Sequence, residues 1–216
     1  MATEIRPQKA GRAVLVLEDG TFFVGTGFGA PSRVYGEVVF STSMTGYPES
    51  LSDPSYKGQI LTLTYPLVGN YGVPTYNCDK FGIPANFESV GIKVSGLILQ
   101  ELCFEPFHWA SKRTLGEWLR NEGIPGICGI DTRRLTKKLR EMGAMLGILD
   151  VCEKGGSPDL DRLRKEVKNV PDPNLRDLVR EVTVKEPVHH ELGGKRKVVL
   201  IDCGVKAGIL LSLIHI

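Results

Sequence analysis

Residues 36–56, GEVVFSTSMTGYPESLSDPSY, join an apolar run to a long stretch of turn-forming residues. The first part, GEVVFSTS at 36–43, has the β-branched and aromatic residues that are typical of a strand. Residues 44–56 predict a long loop that ends in the turn Asp53-Pro54-Ser55-Tyr56, and loops of this length are often functional. Two interpretations of the turn remain open. In the first, Asp53 and Pro54 simply build the turn and Ser55 satisfies its backbone. In the second, the Ser55 hydroxyl contacts a ligand.

Further strands are predicted on both sides of this segment. Residues 13–17 and 21–24 are apolar runs joined across Glu18-Asp19-Gly20, and an Asp-Gly pair between such runs indicates a hairpin. Residues 59–65, QILTLTY, and residues 91–100, GIKVSGLILQ, each predict another strand.

Beyond residue 110 the pattern changes to helices that alternate with strands. Thr114 and Glu117 form a capping box in front of a helix that Gly123 ends. A strand is predicted next at 124–130, followed by a helix that Asp131 or Thr132 caps and Gly143 ends, with Leu135, Leu139 and Met142 on one face. A strand at 144–151 comes after it. The last predicted helix starts at Ser157-Pro158 and carries Leu160, Leu163 and Val167 at helical spacing.

The last part of the chain predicts a linker and the start of a second domain. Residues 170–173, VPDP, are linker-like, residues 178–184 are β-type, and Gly193-Gly194 indicates a polar turn. Residues 197–202, KVVLID, form the continuous apolar run of a strand buried on both faces of a parallel sheet. We therefore expect an α/β chain with a flexible N-terminus at 1–11, a domain at 12–155, a linker at 156–196 and a second α/β domain beginning at 197–216.

Composition narrows the class of protein. The 216 residues carry a net charge of +2, with charges of both signs, which argues against nucleic acid or an anionic membrane as the main partner. The apolar runs are too short to span a bilayer, and residues 1–12 lack the apolar region of a secretory signal. Five cysteines without CxxC spacing favour reduced thiols and no zinc site. We expect a cytoplasmic protein.

A catalytic cysteine is not predicted. Gly126-Ile127-Cys128-Gly129 resembles the sharp turn that carries a nucleophile, but its second glycine comes one position early, so Cys128 is interpreted as a buried structural thiol. Cys203, after an expected buried strand, is interpreted in the same way. His108 is expected to pack beside Trp109. His189 and His190 are expected to be solvated, and His215 is unassigned.

Basic residues cluster on the second predicted helix. Arg133, Arg134, Lys137, Lys138 and Arg140 suggest a solvated helix face opposite the apolar stripe, and this interpretation is favoured over a phosphate or nucleic-acid site. The alternative is that this face contacts an acidic patch on a partner. Charge reversal of Arg133 together with Lys137 would then weaken assembly.

Residues 36–56 resemble the signature of the carbamoyl-phosphate synthase small subunit, GEVVF-x-T-x-M-x-GY-x-E followed by TDPSY. The similarity continues through QILTLTYPLVGNYG at 59–72, GIDTRRLTKKLREMGAMLG at 129–147 and VVLIDCGVK at 198–206. The stretch HWASKRTLGEWL at 108–119 is most similar to the eukaryotic form, which is fused with aspartate carbamoyltransferase and dihydroorotase in one pyrimidine-pathway polypeptide.

The resemblance implies a three-layer β/β/α domain of the small-subunit N-terminal type, followed by the first strand of a truncated class I glutamine amidotransferase domain. It implies that the parent enzyme hydrolyses glutamine and passes ammonia to a synthetase part, which uses ATP, Mg and bicarbonate to make carbamoyl phosphate for pyrimidine or arginine synthesis. The partners would be that synthetase part, as a large subunit or a fused segment, and glutamine.

The resemblance also assigns site residues. Ser55 and Lys206 match positions associated with the glutamine site. A turn hydroxyl and a lysine suit a ligand that carries a carboxylate and an ammonium group. No catalytic, metal-binding or cofactor-binding residue is expected in this chain, because the catalytic Cys, His and Glu would follow it. Residues 207–216 depart from the family pattern, which suggests truncation. The alternative function is a non-catalytic docking module that retains the fold.

Overall fold

A computed structural model describes residues 11–190 and 196–214. All but the last residue of the predicted flexible N-terminus at 1–11, the turn at Gly193-Gly194 and His215 lie outside these residues. The strands are Arg12–Leu17 (β1), Phe22–Gly29 (β2), Arg33–Ser41 (β3), Gln59–Leu63 (β4), Leu67–Val68 (β5), Gly96–Ile98 (β6), Glu101–Leu102 (β7), Pro125–Cys128 (β8) and Met145–Val151 (β9). The α-helices are Tyr47–Ser52 (α1), Leu115–Asn121 (α2), Thr132–Met142 (α3), Leu160–Glu166 (α4), Leu178–Val182 (α5) and Ala207–Leu213 (α6).

Seven strands form a closed barrel in the order β1-β2-β8-β6-β4-β3-β9. β3, β4, β6 and β8 run parallel to one another, and the remaining pairs are antiparallel. β9 pairs with β1 along one edge and with β3 along the other, so the sheet has no free edge. The mixed α/β prediction is confirmed. The predicted three-layer arrangement is not, because the strands close on themselves instead of stacking as separate sheets.

Alternation along β1 separates two cores. Leu15 and Leu17 point into the barrel, where one apolar cluster also contains Leu135 and Leu139 of α3, which closes one end. Val14 and Val16 belong to a separate cluster outside the barrel. Side chains that alternate between inside and outside are what a two-residue period produces in a strand.

Helices cover the outer faces of the barrel. Trp118 of α2 packs in a cluster that includes Leu61 of β4 and Leu97 of β6. On another side, Leu163 of α4 packs in the cluster of Val14 and Val16. α4 therefore covers the β1 face although it lies beyond the predicted boundary at residue 155. The domain boundaries as such stay predictions.

Most predicted elements are present. The β1–β2 hairpin, β3, β4, β8 and β9 are all formed, and the capping box of α2 is complete, with hydrogen bonds in both directions between Thr114 and Glu117. α3 is capped by the Asp131 side chain and ends at Gly143. Met142, predicted on its apolar face, is instead exposed, because it is the last residue of the helix.

Five elements differ from the predictions, and the last of them is described in the next paragraph. Residues 44–56 are not all loop, since α1 and a 3-10 turn at Pro54–Tyr56 lie within them. The β-type stretch at 178–184 contains α5, whose N-terminal amide at Arg180 is capped by the Asp177 side chain. The strand predicted at 91–100 is limited to β6. The α4 helix begins after Asp159, two residues later than Ser157.

The strand predicted at 197–202 does not form in the described structure. Its side chains Val198, Val199, Leu200 and Ile201 are all exposed. A strand of a parallel sheet is stable only when neighbouring strands accept its backbone hydrogen bonds and cover its faces, and the described residues provide no such neighbours here. Within residues 11–190 and 196–214, no helix has the length and apolar character needed to cross a membrane.

Candidate functional site

The Asp53-Pro54-Ser55-Tyr56 turn lies between α1 and β4. Asp53 organises it, because its Oδ1 accepts a hydrogen bond of 2.9 Å from the Ser55 backbone N–H. Pro54 is buried, which holds the turn against the body of the protein, while Ser55 is exposed. Asp53 therefore satisfies the backbone of the turn, and Ser55 is left exposed at the surface.

Lys206 reaches the same turn from the far end of the sequence. Its Nζ lies 3.2 Å from Asp53 Oδ2, and the side chains of Lys206 and Asp53 are 38% and 13% exposed. The backbone N–H of Ser55 and the side chain of Lys206 thus meet the two oxygens of one carboxylate. Sequence analysis did not single out Asp53 for this role. The signal was its position directly before Pro54-Ser55, where an aspartate caps the turn that follows.

A second turn at residues 202–206 sets the position of Lys206. Asp202 Oδ1 accepts hydrogen bonds of 2.7 Å from the backbone N–H groups of Gly204 and Val205, and its Oδ2 accepts one of 2.7 Å from Val184. Burial alone would raise the Asp202 pKa, but these three donors outweigh it and lower the pKa.

Gly204 allows the two turns to approach closely. Its φ of +99° is in the left-handed region, and a Cβ there would lie 3.3 Å from Pro54 Cβ and 2.9 Å from Val182 Cγ2. A larger residue would be strained and would separate the turns. The residue types Asp-x-Gly at 202–204 are therefore needed for Lys206 to reach Asp53.

The chain after Lys206 is fastened to α1 through Glu88. The Glu88 carbonyl accepts a hydrogen bond of 2.8 Å from Ala207 N–H, and its Oε2 accepts one of 2.9 Å from Gly208 N–H. Glu88 N–H in turn donates to Ser52 Oγ at 2.9 Å, and the fully buried Ser52 donates to the Pro48 carbonyl at 2.7 Å. Sequence analysis missed Ser52 and Glu88, because nothing in their local pattern shows that residues 207–208 lie beside them.

The arrangement places the exposed Ser55 and the partly exposed ammonium group of Lys206 beside the mostly buried carboxylate of Asp53. An ammonium group and a donor hydroxyl are groups that suit a ligand carboxylate. Among the described residues, no three His, Cys, Asp or Glu side chains lie close enough to hold a metal ion.

Cys128 is buried, as predicted, and burial raises the pKa of its thiol to about 11. A nucleophilic cysteine needs the opposite shift, toward the thiolate. Cys203 was expected to follow a buried strand, and this is wrong, since the residue is exposed and residues 197–202 do not form a strand.

His108 and His190 contact residues outside the Asp53 turn. His108 packs beside Trp109, as predicted, with ring centroids 5.3 Å apart, and its ring lies 6.3 Å from that of Tyr71, although His108 itself is exposed. The loop that carries it lies on the surface. His189 is exposed, and the Nδ1 of His190 lies 3.0 Å from the Phe81 carbonyl oxygen.

The basic residues of α3 face away from the buried Leu135 and Leu139, as the solvated-face interpretation predicts. Arg134 lies over the Phe23 ring at 5.7 Å, and Lys138 is paired with Asp19 at 2.5 Å. Arg133, Lys137 and Arg140 are exposed.

Comparisons with known proteins give one family. Residues 15–149 match the family model described as carbamoyl-phosphate synthase small chain, CPSase domain. The chain is 49% identical to the carbamoyl phosphate synthase small chain of Sulfolobus acidocaldarius, with 91% of this chain and 51% of that protein covered. It is 46% identical to the multifunctional protein CAD of Squalus acanthias, over 93% of this chain and 9% of that protein. It is 44% identical to the human mitochondrial carbamoyl-phosphate synthase named for ammonia, over 95% of this chain and 13% of that protein.

The chain thus spans about half the length of the separate small chains that it matches. Identity is similar for separate and fused relatives, so it does not distinguish the two arrangements.

Proposed function

Since this chain belongs to the carbamoyl-phosphate synthase small-chain family, we propose that it forms the N-terminal part of the glutamine-hydrolysing unit of a carbamoyl-phosphate synthase. The parent enzyme, a ligase, would release ammonia from glutamine for the synthesis of carbamoyl phosphate from bicarbonate and ATP. The observation that carries this proposal is the identity of 44–49% to proteins of that name over more than nine-tenths of the chain.

In this proposal the surface around Asp53 is one wall of the glutamine site. The Ser55 hydroxyl and the Lys206 ammonium group would bind the α-carboxylate, or the hydroxyl would accept a hydrogen bond from the ligand's ammonium group. The proximity of both residues to one carboxylate supports this assignment. Asp53 would keep the cation of Lys206 from folding back into solvent, so that the site is formed before glutamine arrives.

The chemistry of hydrolysis is assigned to residues that follow this segment. Amide hydrolysis of this kind needs a thiolate, a proton-shuttling histidine and an acid that orients it. The raised pKa of the Cys128 thiol, caused by burial, makes Cys128 unsuitable as that nucleophile. We therefore expect the segment alone to be inactive.

Two further expectations belong to this proposal. ATP and Mg would bind to the synthetase part, and the enzyme would act in the cytoplasm. Residues 197–202 would form the first strand of a class I glutamine amidotransferase domain, whose later strands would cover the exposed Val198–Ile201 side chains. The relatives include arginine-specific small chains and the multifunctional protein CAD, so arginine and pyrimidine synthesis are both candidate pathways.

Kinetics of the complete glutamine-hydrolysing unit, assembled with its synthetase part, would test the site. Ser55→Ala should raise the KM for glutamine by about 10-fold, because one hydrogen bond to a charged group is worth about 1.5–3 kcal/mol. Synthesis driven by added ammonia should be unchanged, since ammonia bypasses the glutamine site. The exposed Ser43 provides a control in the Ser43→Ala variant. An unchanged KM in Ser55→Ala would contradict the proposed role of Ser55.

A specific observation keeps the non-catalytic module as a second candidate. The human relative, at 44% identity, is named for ammonia, so similarity over this segment does not itself indicate use of glutamine. The two candidates differ in the activity of the complete protein. Glutamine hydrolysis that Ser55→Ala weakens supports the enzyme, whereas complex formation with a synthetase and no hydrolysis supports the docking module.

A further inference from the structure

The helix that follows Lys206 begins without a capping side chain of its own. The N-cap residue of α6 is Lys206, whose side chain has no acceptor atom and makes no cap hydrogen bond. Helices usually begin with Ser, Thr, Asp or Asn, because a side-chain oxygen there accepts a hydrogen bond from one of the first backbone N–H groups. The first donors of α6 therefore need acceptors from another part of the chain.

Glu88 supplies two acceptors for the start of α6. Its carbonyl oxygen accepts a hydrogen bond from Ala207 N–H at 2.8 Å, and its Oε2 accepts one from Gly208 N–H at 2.9 Å. Gly208 leaves room for this carboxylate, since a Cβ there would lie only 3.3 Å from each of the two carboxylate oxygens. The negative charge of Glu88 also suits the N-terminal end of the helix dipole. The start of α6 is thus capped by a residue more than a hundred positions earlier in the chain.

This cap leaves the side chain of Lys206 available for the site. Because Glu88 satisfies the N–H groups at 207 and 208, the Lys206 side chain runs to Asp53, where its Nζ lies 3.2 Å from Oδ2. A serine or aspartate at position 206 would cap α6 itself but would bring no cation to Asp53. Capping and ligand binding are therefore divided between Glu88 and Lys206.

Glu88 also contacts the segment that leads into Asp53. Its N–H donates a hydrogen bond to Ser52 Oγ at 2.9 Å, and the neighbouring Ser89 Oγ donates one to the Ser52 carbonyl at 2.6 Å. Ser52 is fully buried and directly precedes Asp53 in the chain. Residues 88 and 89 thus fix the backbone before Asp53, while Glu88 fixes the backbone after Lys206.

We infer that Glu88 is a positioning residue of the glutamine site, which acts on the ligand through Lys206. This inference rests on the proposed function. Glu88 holds the start of α6 so that the Lys206 ammonium group stands beside Asp53 before glutamine arrives. Without the carboxylate, the start of α6 is released, and ligand binding then has to order Lys206 as well. The α-carboxylate of glutamine is bound alike in the ground state and the transition state, so Glu88 affects the KM for glutamine and not kcat.

Kinetics of the complete glutamine-hydrolysing unit, assembled with its synthetase part, test this role. Glu88→Ala should raise the KM for glutamine by about 10-fold and leave kcat within about 2-fold of the wild type. Glu88→Gln keeps an oxygen for the Gly208 N–H, so its KM should stay within about 3-fold of the wild type. The control is Glu153→Ala, at an exposed glutamate, whose KM should be unchanged. Synthesis driven by added ammonia should be the same in all three variants, which shows that they are folded and assembled.

A double-mutant cycle separates action through Lys206 from a general structural role. Lys206→Met should itself raise the KM for glutamine, and adding Glu88→Ala should then raise it by less than about 2-fold, because the side chain that Glu88 positions is already absent. A full additional increase in that background would overturn the inference. An unchanged KM in Glu88→Ala, with a raised KM in Lys206→Met, would also overturn it and leave the proposed site standing. An unchanged KM in Lys206→Met would contradict the proposed role of Lys206, and the inference with it.

Discussion

Asp53 shows how one side chain joins segments that are distant in the sequence. One of its oxygens caps the turn that presents Ser55, and the other pairs with Lys206. The ammonium group of Lys206 is partly exposed, and such ion pairs contribute at most about 1 kcal/mol. The cap is the stronger of the two contacts, because it satisfies a backbone N–H that has no other partner within its own turn.

Two substitutions at Asp53 separate the cap from the ion pair. Asp53→Asn keeps an oxygen for the Ser55 N–H and should lower the free energy of unfolding by less than about 1 kcal/mol. Asp53→Ala removes both contacts and should lower it by about 1–2 kcal/mol. Urea unfolding measures both. Equal effects of the two variants would show that the ion pair, and not the cap, dominates.

Burial makes Cys128 unreactive in the folded protein. Its pKa is raised from 9.0 to about 11, so the thiolate fraction at about pH 8 is ~100-fold smaller than that of an unshifted thiol. Iodoacetamide should therefore modify the exposed Cys78 and Cys203 in the native protein, and Cys128 only after unfolding. Mass spectrometry of the alkylated peptides measures this order. Native labelling of Cys128 as fast as Cys203 would contradict the buried setting.

At the scale of elements, capping side chains set where the helices begin. Asp131, Asp159 and Asp177 each accept a hydrogen bond from a backbone N–H of the helix that follows. The cap at Asp177 starts a helix in a stretch whose β-branched residues predicted a strand. α5 lies beside Gly58, where a Cβ would be 3.3 Å from Leu178, so a local cap and a tertiary contact together override the strand propensity.

The capping box of α2 offers the sharpest test at this scale. Thr114 Oγ1 accepts from the Glu117 N–H at 3.1 Å, and Glu117 Oε2 accepts from the Thr114 N–H at 2.8 Å. Thr114→Ala should lower the free energy of unfolding by about 1 kcal/mol, which corresponds to a Tm decrease of about 2–4 °C for a chain of this size. Thr114→Ser keeps the acceptor and serves as the control. A similar loss in both variants would show that the methyl group matters more than the hydroxyl.

At the scale of the whole molecule, apolar side chains on the outside of the barrel are buried by helices that pack against it. The outer face of β1 and β9 is covered by Leu163 and Val167, which pack with Val14, Val16 and Ile148. Arg33 fastens the same region, because it pairs with Asp150 of β9 at 3.0 Å and with Glu166 of α4 at 2.8 Å. α4 is therefore part of the folded unit.

Truncation tests the extent of that unit. Residues 12–170 should fold more stably than residues 12–155, because the shorter chain exposes the outer cluster of β1 and β9. Leu163→Ala in the longer chain should lower the free energy of unfolding by about 2–4 kcal/mol, since Leu163 is fully buried. Urea midpoints and binding of a hydrophobic dye measure both effects. Equal midpoints for the two lengths would place the boundary at 155 after all.

The sequence by itself determined the elements whose cause is local, together with the family. Alternation along residues 13–17, the capping box at Thr114 and Glu117 and the Asp131 cap each act within a few residues, and the ordered motifs from 36 to 206 identified the carbamoyl-phosphate synthase small chain. Only the tertiary structure decided that β9 pairs with both β1 and β3 to close a barrel, that residues 197–202 have no strand partner among the described residues, and that Lys206 meets Asp53. These outcomes depend on which distant segments come into contact, and a hydrophobic period specifies which face is buried but not which segment buries it.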